Sequence, residues 1–578
     1  MAPKKDSRTR AVRRLPILVL GISAAIAFAS CAQVRVLPDP SGRISLVSVD
    51  PLQKVFRETA FIPAVEPLAD VARGEHATFQ FVVRGTGRIF DLNAQAGGFK
   101  SDAGAQLAAP EIGYIGYVHI GRTAEEPSRD RLYSLSGYYP DPILDEGPAE
   151  LPPLTNQAVW VSVAVPKDVP PGTYKTSLSF TGTFEGFPFR LNRTCTVRVH
   201  APVIDKTRLW VTNWYNAGTD NLALLNEGKP VEPYSERYWE LIRAIARKMA
   251  AYRQNTALIS PLYLSTFTLD NGRYAFDFSR FDRTVKTFIE EGVVGRIEGG
   301  HIGGRAGLWE SPFIVFVPEM VNGKVEMKNY PISDEKARNF YSQFIPALAA
   351  HLERNGWSNI YYQHIADEPA GNNYDSYVEI CKLVKQYAPG FKLMEACHSN
   401  QLAGMLNVWV PQLNNFETDL AFYKERAAQG DEVWIYTCVF PQGGYANRFI
   451  DLPLIKTRLL HWINFRYDSP GYLHWGFNFW SEDPFGEASR IQTEGGLVLP
   501  AGDSWITYPA PGRLLSSIRL EAMRDGIVDH ELLSRLAAKK PDEARELARQ
   551  MVYGFTTYDI DIPHFRETRL KILKMLEE

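Results

Sequence analysis

Apolar and polar positions along the chain follow two main rhythms. From about Ile44 to Ile204 they alternate residue by residue. Ala77-Thr78-Phe79-Gln80-Phe81-Val82-Val83 reads as a strand. So do the run from Ala158 to Val165 and Thr194-Cys195-Thr196-Val197-Arg198-Val199. Successive strand side chains point to opposite faces, so alternation predicts one buried and one wet face. Turns such as Pro170-Pro171-Gly172 separate the runs, the layout of an antiparallel β-sandwich. The stretch from Tyr133 to Pro153 is rich in Pro, Tyr and Asp and too long for an ordinary turn; it is expected to reach toward the neighbouring domain.

From Arg208 the rhythm changes. Short apolar runs alternate with stretches of helical period. Strands are predicted at Leu209–Trp214, Thr256–Ser260, Val293–Gly300, Asn359–Ile365, Lys392–Glu395, Asn407–Val410, Glu432–Thr437 and Tyr472–Phe477. Helices are predicted at Ser235–Tyr252, Arg280–Glu290, Glu335–Glu353, Tyr374–Tyr387, Phe416–Ala428 and Pro453–Phe465. Between the fifth and sixth strands only a Gln401–Leu406 turn is available. Eight strands separated mainly by helices predict a (β/α)8 barrel of TIM type. The alternative is a doubly wound open sheet, although no Gly-rich phosphate loop follows the first strand. Helical stretches at Leu514–Ala538, Asp542–Val552 and Phe565–Leu576 are expected to pack outside the barrel. The predicted fold class is multidomain β plus α/β: a β-sandwich over residues 44–204, a (β/α)8 barrel over 205–510, and a C-terminal helical region over 511–578.

Charge removes one class of partner. The chain of 578 residues carries 63 Lys and Arg against 66 Asp and Glu, a net of -3, so no broad positive surface for nucleic acid is expected. Aromatic residues make up 12% of the chain and supply either core or flat platforms for ligands.

The N-terminus suggests a compartment. Lys4, Lys5, Arg8, Arg10, Arg13 and Arg14 precede an apolar stretch from Leu15 to Ala29, shorter than the roughly 20 residues a spanning helix needs. That is the layout of a secretory signal. Phe28-Ala29-Ser30-Cys31 resembles the lipobox of bacterial lipoproteins. Residues 1–31 are therefore expected to be a lipoprotein-type signal ending at a lipidated Cys31, with 32–43 as a tether. Acyl chains there would anchor the protein to a membrane of the bacterial cell envelope. The alternative is an ordinary cleaved signal with an incidental Cys. Cys195, Cys381, Cys397 and Cys438 form no C-x-x-C pair, which leaves one disulfide or buried free thiols open.

Candidate chemistry lies where a barrel of this kind keeps it, at the C-terminal ends of the strands. The fourth strand ends in His364-Ile365-Ala366-Asp367-Glu368-Pro369. Pro369 biases Glu368 away from helix and stops the strand abruptly. Two carboxylates in different environments are the equipment of glycoside hydrolysis: one gives a proton, the other stays charged. A helix N-cap is the competing reading of Asp-Glu-Pro. The strand context and the aromatic residues around the mouth favour chemistry. Tyr436 ends the seventh strand, and Trp475, Asn478 and Trp480 bracket the end of the eighth. Indoles stack on the C–H faces of sugars, while Tyr and Asn hydrogen-bond to hydroxyls. His301 follows Glu298-Gly299-Gly300, whose glycines allow a ligand close to the backbone. His301 and His364 lack the spacing of a metal pair, so no metal is expected.

At these residues the chain resembles glycoside hydrolase family 123 and its wider relatives. The likeness covers Arg73-Gly74-Glu75, Phe79-Gln80, Tyr138-Tyr139-Pro140-Asp141-Pro142, Arg253-Gln254-Asn255 and Asp367-Glu368-Pro369. It continues from Gly502-Asp503 to Tyr508-Pro509 and from Ser517-Ile518-Arg519-Leu520 to Arg524-Asp525-Gly526. Members of that family are retaining β-N-acetylgalactosaminidases acting on glycans and glycolipids. The resemblance implies substrate-assisted catalysis, in which the sugar's 2-acetamido oxygen attacks the anomeric carbon and forms an oxazoline. By carry-over Glu368 is the general acid and then the base, and Asp367 holds the acetamido N–H. Tyr436 is assigned to the acetamido carbonyl from its strand position. No cofactor is required. The alternatives are a glycosidase for another sugar on the same scaffold and a non-catalytic glycan-binding lipoprotein.

Overall fold

The computed structural model describes residues 42–121, 126, 128–132, 136–293, 295–322, 324–398, 400–488 and 498–578. The expected signal, Cys31 and all but the end of the tether lie outside the described residues.

The alternating N-terminal pattern forms two sheets. Their strands are β1 (Ile44–Val49), β2 (Leu68–Arg73), β3 (His76–Gly85), β4 (Ile89–Ala96), β5 (Lys100–Ser101) and β6 (Glu111–Ile120). They continue with β7 (Gly137–Leu144), β8 (Glu150–Leu151), β9 (Asn156–Ala164), β10 (Gly172–Phe184) and β11 (Phe187–Val203). One sheet runs β1-β3-β9-β6-β7 and the other β2-β11-β10-β4-β8, with β5 on β10. Their apolar faces share a core that includes Phe79, Phe81, Val159, Val161, Leu178, Phe180 and Val197. The opposite face of β3 and β9 is not wet. Val82, Ala158 and Trp160 belong to the large core that continues into the C-terminal region. The Pro-rich stretch does reach that region: it forms edge strand β7, and the Ile143 N–H donates to the Ser516 carbonyl at 2.9 Å.

Past Arg208 the chain is α/β. First come β12 (Trp210–Asn213), α1 (Thr219–Leu225), α2 (Glu236–Ala251), β13 (Thr256–Leu258) and α3 (Pro261–Leu264). Ser235 caps α2 by accepting the Tyr238 N–H, and Tyr238, Leu241, Ile242, Ile245 and Met249 form its buried stripe. A hairpin of β14 (Thr266–Asp270) and β15 (Arg273–Asp277) leads into α4 (Ser279–Glu291), which ends at Gly292 in the left-handed conformation. After β16 (Arg296–Glu298) the chain builds a three-stranded antiparallel excursion absent from the sequence reading. Its strands are β17 (Gly303–Arg305), β18 (Phe313–Val321) and β19 (Lys324–Tyr330).

Then follow α5 (Glu335–Arg354), β20 (Tyr361–Gln363), α6 (Tyr374–Tyr387), β21 (Lys392–Cys397) and β22 (Val408–Pro411). Next are α7 (Leu413–Thr418), α8 (Leu420–Ala428), β23 (Glu432–Val433), β24 (Ile435–Tyr436), α9 (Leu454–Arg466) and β25 (Gly471–His474). A short hairpin of β26 (Tyr508–Ala510) and β27 (Arg513–Leu515) precedes α10 (Ile518–Ala537), α11 (Pro541–Met551) and α12 (Ile562–Glu577).

The sheet of this region is parallel and curled. One run orders β13-β16-β20-β21-β22-β23, and a second orders β12-β25-β24. A small apolar cluster draws on both runs, with Tyr362, Met394, Val408, Val410, Trp434, Tyr436 and Leu473. Cys195, Cys381, Cys397 and Cys438 are buried free thiols. Among the described residues no helix is long and apolar enough to cross a membrane.

Candidate active site

The exit of β20 is held from beneath by a buried carboxylate. Glu395 on β21 accepts the backbone N–H groups of Ile365 at 2.8 Å and Ala366 at 3.1 Å through Oε2. The Tyr377 hydroxyl donates to the same oxygen at 3.1 Å. Its Oε1 meets His364 Nδ1 at 2.8 Å and His301 Nε2 at 3.1 Å. His364 Nε2 in turn lies 3.0 Å from Glu298 Oε2, which also accepts the Trp214 indole N–H at 2.8 Å. A peptide pinned at two successive amides cannot drift, so Asp367 and Glu368 leave the strand in a fixed direction.

The charges in this chain are mutually dependent. Burial works against a charged His364, but Glu395 and Glu298 outweigh it and push the imidazole up to about 10. Burial would likewise raise Glu395; His364 and then His301 hold it down at about 2. The Glu298–His364–Glu395 line is therefore two carboxylates about one imidazolium, with Glu298 Oε1 left without a partner among the described residues.

Glu368 lies in a bend past the end of β20 at Gln363. Its φ is +50°, in the left-handed region that a non-glycine residue rarely adopts. The conformation is held by Arg305 on β17, whose guanidinium donates to the Glu368 carbonyl at 2.6 Å. Both carboxylates can then serve one cluster. Glu368 Oε1 accepts the Tyr436 hydroxyl and lies 3.2 Å from His398 Nε2. The Asn415 amide donates to His398 Nδ1 at 2.8 Å, so the ring proton sits on Nε2, facing Glu368. Asp367 Oδ1 lies on the other side, 3.9 Å from His301 Nε2, with 48% of its side chain open to solvent.

The two acids are pushed apart. Partial loss of solvation at the mouth and the adjacent Glu368 charge raise Asp367 to about 6. Burial alone would raise Glu368 as well, but His398 and then Tyr436 hold it below the usual carboxylate value. They titrate as a pair, and in the free protein the last shared proton rests on Asp367.

His301 and Tyr436 thus lie beside the carboxylates. Trp475 is half-buried, edge-on to Phe479 at 5.1 Å, against the cluster that contains Tyr436. Asn478 and Trp480 are not brought to the carboxylates. The strand ends at His474, earlier than the sequence reading placed it. Asn478 is fully buried, and its amide closes a loop by donating to the Asn216 carbonyl and accepting the Asn216 N–H. The Trp480 indole donates to the Thr507 carbonyl at 2.7 Å. Conversely, sequence reasoning missed Glu298, Arg305, Glu395 and His398. Glu298 and Glu395 carried a signal: each is an acid inside an apolar strand that has no wet face. Ligating atoms of His301, His364 and Glu395 lie within 4.8 Å of one another. A cation there would have to displace the proton of a strongly basic His364.

Residues 221–536 match the family model described as glycoside hydrolase 123, catalytic domain. Residues 68–182 match that of the glycoside hydrolase 123 N-terminal domain. Among solved structures the chain is similar to a family 123 glycoside hydrolase from Clostridium perfringens, studied for glycolipid glycan hydrolysis. The identity is 16% and the TM-score 0.71, over 93% of this chain and 97% of that one. An endo-beta-1,4-mannanase from Thermotoga petrophila aligns with a TM-score of 0.33 and 11% identity, over 57% of this chain and 77% of that one. No curated protein matches the chain.

Proposed function

We propose, for a chain that belongs to glycoside hydrolase family 123 and is a glycosidase, that it is a retaining exo-β-N-acetylgalactosaminidase working through the substrate's own acetamido group. The two runs of parallel strands are read as one (β/α)8 barrel over residues 205–510, behind a sandwich over 44–204 and followed by helices over 511–578. Support for closure comes from the bridge between Gln412 and Tyr436 and from the Asn255 N–H donated to the Val211 carbonyl.

The observation that carries the reading is the pair itself: adjacent acids with different partners, turned onto one cluster by the left-handed backbone of Glu368. Glu368 gives its proton to the glycosidic oxygen as the acetamido carbonyl oxygen attacks the anomeric carbon. The aglycone leaves as an alcohol, and an oxazolinium remains. Asp367 accepts the acetamido N–H and balances the positive charge that builds there. Glu368, now a carboxylate, takes a proton from water as that water opens the ring with net retention.

In the free protein the shared proton rests on the other acid. An acetamido N–H arriving at Asp367 stabilises its charged form and sends the proton to Glu368. Tyr436, released when Glu368 becomes protonated, is then free to donate to the acetamido carbonyl. His301, beside Asp367, and Trp475, against the cluster that contains Tyr436, are assigned as sugar contacts. Asn478 and Trp480, first read as contacts, now serve as supports for the wall of the site. A glycolipid glycan, the subject of the Clostridium perfringens work, is a fitting substrate, and a lipidated Cys31 would hold the enzyme at the envelope.

The reading is tested with aryl β-glycosides of N-acetylgalactosamine and of galactose. The acetamido glycoside should be cleaved and the unacetylated one left intact. Equal cleavage of both would remove the acetamido group from the mechanism.

A further inference from the structure

The sandwich and the C-terminal helices do not close fully on one another. Between them lies a cavity of about 660 Å³, walled by β1, β2 and β3, by Trp160 of β9, and by α9, α10 and α12. That volume is in the range of small-molecule sites. The cavity shares no residue with the acid pair or with the groups that hold it. Its mouth is aliphatic: Val65, Leu68 and Ile560 are between 38% and 41% exposed. Leu52, Val71 and Leu454, all buried, continue that wall inward.

The inner wall ends in polar atoms. The register of β3 on β9 pairs Thr78 with Ser162 and Gln80 with Trp160. Alternate strand residues share a face, so His76, Thr78 and Trp160 stand together on the side of the sheet that meets the helices. His76 Nδ1, Thr78 Oγ1 and Trp160 Nε1 have no hydrogen-bond partner among the described residues. Neither has Glu75 Oε1, although Glu75 Oε2 accepts Arg569 Nη2 at 2.5 Å. Glu75 and Trp160 are each only 4% exposed. Buried polar atoms left unmatched are costly, and a group of them around one cavity calls for a ligand that matches them.

The charges narrow that ligand. Seven acidic side chains and three arginines line the cavity. The arginines are already committed: Arg458 and Arg569 to Asp529, and Arg566 to both Asp50 oxygens at 2.8 Å. An anion would meet a surplus of carboxylates. An ammonium carries no acceptor for the Trp160 N–H. A hydroxyl both gives and accepts hydrogen bonds, and serves Trp160 Nε1 and Glu75 Oε1 alike. The Phe79 and Trp160 rings are buried, so the wall offers an alkyl chain contact but gives a sugar ring no open aromatic face.

We propose that this cavity is a second binding site, for a neutral amphiphile. A hydroxyl-bearing head reaches Trp160 and Glu75, and an alkyl chain runs out past Val65, Leu68 and Ile560. A monoacylglycerol is the simplest molecule of that class. The site is independent of the glycosidase chemistry proposed above and stands or falls without it.

The test is calorimetric titration of the full chain with 1-octanoylglycerol, kept below its micelle-forming concentration. Octanoate and octylammonium keep the chain and change the head; glycerol keeps the head and removes the chain. 1-Octanoylglycerol should bind saturably, and each of the other three about tenfold or more weakly. Trp160→Phe keeps a ring and removes the N–H, and should weaken binding about fivefold, the usual worth of one hydrogen bond. Val65→Glu, at the open rim, should weaken it about tenfold by setting a charge beside the chain, and keeps the test alive if Trp160→Phe does not fold. Octanoate or octylammonium binding as tightly as 1-octanoylglycerol would overturn the proposal. So would affinity indifferent to the substitutions, or no saturable binding at all.

Discussion

Two of the places where the molecule buries charge treat it differently. Where β7 meets α10, Asp141 and Arg519 are fully buried and completely matched. Arg519 donates to both Asp141 oxygens at 2.8 and 2.7 Å and to the carbonyls of Arg448, Gly502 and Trp505, and Tyr508 adds a hydroxyl to Asp141 at 2.6 Å. At the mouth of the parallel sheet, Glu298 and Glu395 flank the His364 imidazolium, Asp367 faces His301 and Glu368 faces His398, and Asp367 is half open to water. The first arrangement has nothing left to exchange. The second holds surplus acid with one carboxyl raised to about 6, which places a mobile proton in the working range. Burial alone does not separate a structural ion pair from a reactive one; the matching of donors to acceptors does.

The sharpest way to break that comparison is to neutralise one member of each region. Glu368→Gln should cut kcat by about 10²–10⁴-fold, the usual worth of general acid help, while the urea unfolding midpoint stays near that of the wild type. Asp141→Asn should do the reverse. It strands the Arg519 charge in the interior, at a cost of about 3–5 kcal/mol read from urea unfolding, while the protein that remains folded keeps its kcat. A fully stable Asp141→Asn with lost activity would erase the distinction between the two regions.

Much of this was legible in the sequence because two periods carry it. Alternation marked β3, β9 and β11, and short apolar runs marked each strand of the curled sheet. The alternation nevertheless misled on β3 and β9, whose outer face meets the helices rather than water; a polar residue facing a satisfied interior looks the same in sequence as one facing solvent. The excursion over β17–β19 escaped because a strand pattern does not say whether a run pairs with the main sheet or with itself. Asp367 and Glu368 were visible as adjacent acids before Pro369, although β20 itself ends at Gln363. Two of the groups behind them were not: His398 reaches Glu368 from the exit of β21, and Asn415 reaches His398 from α7, only through tertiary closure. Asn478 and Trp480 were misplaced by counting past the true end of β25 at His474.

The measurement that tests the shared proton most directly is the pH dependence of kcat/KM on an acetamido substrate, since that ratio reports ionisations of the free enzyme. Activity requires the carboxylate pair to keep one proton, and above the raised value of Asp367 that proton is gone. The rate should therefore fall as pH rises through about 6, the value to which Asp367 is pushed. A profile that stays flat from about pH 5 to about pH 8, or climbs with alkali, would contradict a proton shared between Asp367 and Glu368.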